Sequence, residues 1–165
     1  MSVGRICVRE VDTAEPLVSG ATVSVDTMRA GVAEQALAAG ASILNDVSGG
    51  RADPAMVGVA AAASCPLVLM HWRQHSTVMQ DDDHTTYDDL VLDIITELMQ
   101  QVEVALDAGV DRNHILLDPG HGGYFSGALG VRGLTEAEVN LGVALELARF
   151  LRAGAPAASA DIRDA

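Results

Sequence analysis

The sequence predicts an α/β fold of about four β/α units with parallel strands. Three observations carry that reading. Short apolar runs recur along the chain, at 21–25, 42–44, 67–70 and 115–117. Each is followed, sooner or later, by a segment of helical period. Polar residues stand directly after each run. Runs that are apolar on both faces and joined by helical crossovers belong to parallel sheets. Two architectures accommodate them: an open doubly wound sheet, or a (β/α)8 barrel. A complete barrel takes roughly 250 residues, so this chain of 165 would hold about half of one.

The first strand, at 21–25 (ATVSV), is β-branched and bounded by Gly20 and by Asp26-Thr27. An Ala-rich helix over 28–39 follows, with Val32, Ala36 and Leu37 at helical spacing and Gly40 as its stop. The second strand, at 42–44, gives way to the loop NDVSGGR at 45–51. Asp53-Pro54 is read as the opening of a helix that reaches about Ala63, with Asp at the cap and Pro in the first turn. LVLM at 67–70 is the third strand, and 71–86 a long polar loop. The longest helix, expected over 87–108, has Leu90, Ile94, Leu98, Val102 and Ala105 on one face and ends at Gly109. The fourth strand lies at 115–117 and a last helix over 135–152, where Thr135 and Glu138 read as a capping box.

Composition narrows the partners. Ten basic residues stand against twenty-three acidic ones, for a net charge of −13. Phosphate backbones and anionic membrane surfaces both select for clustered Lys and Arg, so neither nucleic acid nor membrane is an expected partner. No apolar run approaches the ~20 residues of a membrane helix, and the charged first residues carry no secretory leader pattern. Cys7 and Cys65 stand alone, without a CxxC neighbour. The expectation is a reduced, cytoplasmic chain.

The polar residues after the strands are the candidate site: Asp26, Asn45 with Asp46, His71, and Asp118. Ligands of parallel α/β folds bind at the carboxyl ends of the strands. Any one of these residues reads equally well as a turn or cap former. Their like placement on successive strands favours a pocket. Carboxylates and an amide suit a planar ligand rich in N–H groups, such as a 2-aminopterin, although other heterocycles fit the same chemistry. The acidic run Asp81-Asp82-Asp83-His84 reads as a solvated loop, and Gly49-Gly50 is too short for a phosphate loop.

Four segments carry a family resemblance. SVDTMRA (24–30), ILNDVSGGRADPAM (43–56), LVLMHWR (67–73) and LLDPG (116–120) resemble successive segments of dihydropteroate synthases, in the same order and spacing, over about residues 21–120. The resemblance implies a partial (β/α)8 TIM-type barrel. It implies a transferase of folate biosynthesis that condenses p-aminobenzoate with dihydropterin pyrophosphate, assisted by Mg2+. By the same token Asp26, Asn45 and Asp118 line a pterin pocket, and Val47 and Met70 pack on the pterin ring. No lysine occurs in the chain. The family's Asn-bearing metal loop, Ser-Arg-Lys segment and Arg-x-His segment find no counterpart in these residues. Impaired turnover is the corresponding expectation.

A second resemblance begins where the first ends. Residues 117–154 look like the opening of a zinc N-acetylmuramoyl-L-alanine amidase, which makes His121 and Glu136 its implied Zn2+ ligands. On these readings residues 1–20 are unassigned, 21–152 form the partial barrel with a join near 118–121, and 153–165 form a flexible Ala-rich tail. A third expectation is a non-catalytic fragment that pairs its open edge strands into a homo-oligomer.

Overall fold

In a computed structural model of the chain, the described residues are 22–75, 77, 87–118, 120, 129, 133 and 135–152. The elements run β1 (Ser24–Asp26), α1 (Ala30–Ala38), β2 (Ile43–Asp46), α2 (Met56–Ala63), β3 (Leu67–Met70), α3 (Leu90–Asp107), a 3-10 turn (Arg112–His114), β4 (Ile115–Asp118) and α4 (Glu136–Arg152). The strands form one parallel sheet in the order β1-β2-β3-β4. The expected α/β class and its four units are therefore present. Residues 1–20, the acidic run with His84, His121 and the 153–165 tail lie outside the described residues.

The register fixes two faces. Val25, Leu44 and Leu67 are paired across the sheet, with Ile115 beside Leu67. These and Leu69 turn toward the helices, where Ala33, Ala36, Met56, Val57, Ala60, Val102 and Ala105 meet them in one buried cluster. Leu67 and Leu69 are fully buried, each contributing about 1.5–3 kcal/mol of transfer free energy. Alanines supply much of the buried surface of α1 and α2, at Ala33, Ala36 and Ala60. A second cluster joins Ile95 and Leu98 of α3 to Val143 and Leu147 of α4.

Several boundaries differ from the sequence expectation. Asp26, Asn45, Asp46 and Asp118 belong to the ends of their strands and not to the loops that follow. Helix α2 starts at Met56 and is capped at Ala55 without a side-chain bond. Asp53 divides its carboxylate: Oδ1 accepts from Ala55 N–H at 3.2 Å, just before α2, and Oδ2 from the Ala30 N–H at 2.8 Å. It thereby caps α1, whose own cap residue Arg29 offers no side-chain acceptor. Helix α3 begins at Leu90, where the Asp89 carboxylate accepts from Leu92 N–H at 3.1 Å. The capping box of α4 forms as expected. Glu138 Oε2 accepts from Thr135 N–H at 2.7 Å, and Thr135 Oγ1 accepts from Glu138 N–H at 3.3 Å.

Candidate functional site

The sheet face turned away from the α1–α3 core presents Asp26, Asn45, Met70 and Asp118 at its carboxyl end. Asp26 is paired with Asn45, and Met70 with Asp118. Asn45 is in turn paired with Val68 and Val68 with Leu116, so Asp26, Asn45, Val68 and Leu116 form one layer of this face, with Met70 and Asp118 one layer above it and Ile43 one below. The result is a face on which acceptors and one thioether border the apolar side chains of Val68 and Leu116. Val47, half-buried, follows β2 directly.

Local bonding separates the site residues from the turn formers. Asp46 is fully buried, and its carboxylate accepts from Ser48 N–H (2.9 Å), Ser48 Oγ–H (2.7 Å) and Gly50 N–H (2.7 Å). It is wholly committed to shaping the loop that carries Val47. Among the described residues, neither the Asp26 carboxylate nor the Asn45 amide is engaged in a cap or turn. Asp118 stands between these cases: its Oδ1 accepts from Gly120 N–H at 2.8 Å.

Gly49 completes the β2 loop at φ +59°, and a Cβ there would come within 2.5 Å of Gln101 Oε1. The loop is thus seated directly on the buried Gln101 amide of α3. Behind β4, between α3 and α4, lies an apolar cavity of about 210 Å³ lined by Leu98, Leu117, Val143 and Leu147 and reached by Asp118.

The β3 loop holds a cluster that the sequence reading missed. Glu97 Oε2 lies 2.7 Å from His71 Nε2 and accepts from Arg73 Nε at 3.1 Å, while Oε1 accepts from Arg73 Nη2 at 2.6 Å. The Arg73 guanidinium also lies 3.7 Å from the centre of the Tyr87 ring. Burial acts to raise the Glu97 pKa, but the hydrogen bonds from Arg73 and His71 prevail and hold it below the ordinary glutamate range. Glu97 and Gln101 lie beside the apolar stripe of α3, four residues apart. Polar groups flanking a buried stripe are the signal that sequence alone offered.

Metal sites are a separate question. Among the described residues, no group of three His, Cys, Asp or Glu side chains is placed to hold a metal ion. His121 lies outside the described residues; Glu136 opens α4 and is half-buried.

A parallel sheet with helices packed on it and acceptors at its strand ends defines a fold of the β/α-barrel type. A sequence model described as "Pterin binding enzyme" matches residues 7–146, and the chain belongs to that family. The dihydropteroate synthase of Bacillus subtilis is 46% identical over 103 residues, which is 62% of this chain and 33% of the relative. That of Mycobacterium leprae is 47% identical over 108 residues, 66% and 38%. Among solved structures, the dihydropteroate synthase of Stenotrophomonas maltophilia superposes with a TM-score of 0.62 at 32% identity, covering 82% of this chain and 46% of that one. The Thermus thermophilus enzyme gives 0.61 at 38% identity, covering 83% and 49%.

The chain thus spans about a third of these curated relatives and just under half of the solved chains. The family match extends the resemblance on both sides, beyond residues 21 and 120. It takes in part of the unassigned segment 1–20 and runs through most of the amidase-like segment. No relative or structure named here is an amidase. No described helix is long and apolar enough to cross a membrane.

Proposed function

We propose that this chain carries the pterin-recognising part of a dihydropteroate synthase, acting in folate biosynthesis on dihydropterin pyrophosphate and p-aminobenzoate. One observation carries the reading: Asp26, Asn45, Met70 and Asp118 converge on one sheet face at the strand ends. The Thermus enzyme has been solved in complex with 6HMPPP and with 4-aminobenzoate, which supports the assignment of both substrate classes.

In this reading Asp26 and Asp118 accept N–H groups from the pterin edge, and Asn45 supplies a donor and an acceptor. Val47 and Met70 pack on the ring faces. The reaction forms a bond from the arylamine nitrogen to the pterin methylene and breaks the methylene C–O bond. Pyrophosphate leaves with the bonding electrons, and the new secondary amine loses a proton. Positive charge grows on the pterin methylene as the C–O bond stretches. Carboxylates preorganised near the ring stabilise that charge more than water does.

The Mg2+ implied by the resemblance has no trio of acidic or histidine ligands among the described residues, so no step is routed through it. The Zn2+ reading fares no better, since of its two ligands only Glu136 is described. A cytoplasmic location is part of the same proposal, supported by two cysteines without a CxxC neighbour. Self-association through β1 and β4, the outer strands of the described sheet, is a further part of the proposal, checked by sedimentation velocity.

Calorimetric titration with a pterin pyrophosphate analogue tests the reading. Saturable binding by the chain, lost in Asp118→Ala, is the expected result. A folded chain that takes up no pterin overturns it.

A further inference from the structure

The cluster at Glu97 occupies a telling place. His71 is the residue after Met70, whose strand position is paired with Asp118. Arg73 is two residues further on, and Tyr87 stands at the other end of the β3–α3 connection, just before the cap of α3. The Glu97 carboxylate receives both Arg73 N–H groups and one His71 nitrogen, and Arg73 in turn lies over the Tyr87 ring. One end of the connection is thus held on a carboxylate of a helix anchored in the core by Leu98 and Ala105, and the other end is joined to it through the Arg73–Tyr87 contact. The side chains of His71, Arg73 and Glu97 are all about one-fifth exposed, at 19%, 17% and 21%, so water competes weakly for the contacts.

We propose that Glu97 is a positioning residue for ligand binding: it clamps His71 and Arg73, and so sets the place of Met70 at the rim opposite Asp118. This rests on the pterin reading of that rim. Glu97 touches no ligand in the proposal. It acts through the backbone of residues 70–73, where a strand end would otherwise lead into a long polar connection. A bidentate arginine contact suits such a task, because its fork geometry fixes orientation as well as distance.

Trp72, the single tryptophan, lies between the two clamped residues, and its carbonyl oxygen accepts from Arg51 Nη1 at 3.4 Å. It reports directly on the clamp. The experiment compares the full chain with Glu97→Ala, Glu97→Gln and Val102→Ala, the last removing buried volume from the same helix away from the clamp. Each variant is checked for fold by circular dichroism and melting. Each is then titrated with the pterin pyrophosphate analogue, and Trp72 anisotropy is read without ligand.

The expected result is an affinity about tenfold weaker in Glu97→Ala and about threefold weaker in Glu97→Gln, with Trp72 anisotropy lowered in the same order. Val102→Ala should lose melting temperature while keeping its affinity, which a merely structural role for Glu97 would not predict. Unchanged affinity in folded Glu97→Ala or Glu97→Gln, or an equal loss in Val102→Ala, overturns the clamp while the pterin reading stands. No binding by the unsubstituted chain overturns the pterin reading, and the clamp's role with it.

Discussion

Two buried polar residues lie behind the site, and each makes a prediction. Asp46 is the only acidic side chain fully buried among the described residues, and three donors hold its carboxylate. Asp46→Ala leaves those donors unpartnered and should cost about 2–4 kcal/mol in urea unfolding. Gly49→Ala places a methyl against the Gln101 amide at a positive φ, and about 1–3 kcal/mol of destabilisation is expected. In a Gln101→Ala background the steric part of that cost disappears and only the backbone part remains, so a double-mutant cycle should show coupling. Glu97 supplies the pH prediction. Its folded pKa lies below the unfolded one. Its contribution to stability is therefore full above the unfolded value and is lost as pH falls through the folded value. The stability gap between the chain and Glu97→Gln should accordingly be widest near neutrality and close below the ordinary glutamate range near ~4.3. A gap that persists unchanged into acid would contradict the paired, ionised carboxylate.

At the level of helices and strands, the capping box of α4 allows a direct test. Thr135→Ala removes the acceptor for Glu138 N–H and one donor to Glu138 Oε2. About 1 kcal/mol should be lost, and the Glu138 carboxyl, held below its usual range by the Thr135 N–H and then by its hydroxyl, should titrate closer to an ordinary glutamate. That cap was legible because both partners lie within one turn. So were the strands, since β-branched and leucine runs between glycine and polar punctuation need no distant information. The start of α2 was not. Asp53-Pro54 has the local chemistry of a cap, yet only one Asp53 oxygen stays there, on Ala55 N–H, while the other reaches 23 residues away to the bare N-terminus of α1. Likewise Asp26, Asn45 and Asp118 were legible as strand-end residues, but their sharing of one face depends on register. Glu97 was hidden for the same reason: its partners His71 and Arg73 lie across a connection whose length says nothing about where it returns.

For the molecule as a whole, the dominant electrostatic fact is the net charge of −13 on 165 residues. Like charges spread over the surface repel one another more in the compact state than in the expanded chain. The opposing contribution among described residues is concentrated in Glu97 and Arg73, with Glu146 and Arg149 a solvated pair on α4. Exposed pairs of that second kind contribute about 0–1 kcal/mol each, too little to offset a surplus of this size. Screening should therefore help the fold. The Debye length falls from about 30 Å at 0.01 M salt to about 10 Å at 0.1 M, so surface repulsion fades over that interval while the part-buried Glu97 contacts are less affected. The melting temperature should rise as sodium chloride is raised across that range, and then level off. Potassium chloride should give the same curve, because screening depends on ionic strength and not on the cation. A melting temperature that falls with salt would mean that attractive pairs, not the overall acidity, govern the stability of this chain. A response confined to one cation would point instead to ion binding at a specific acidic site.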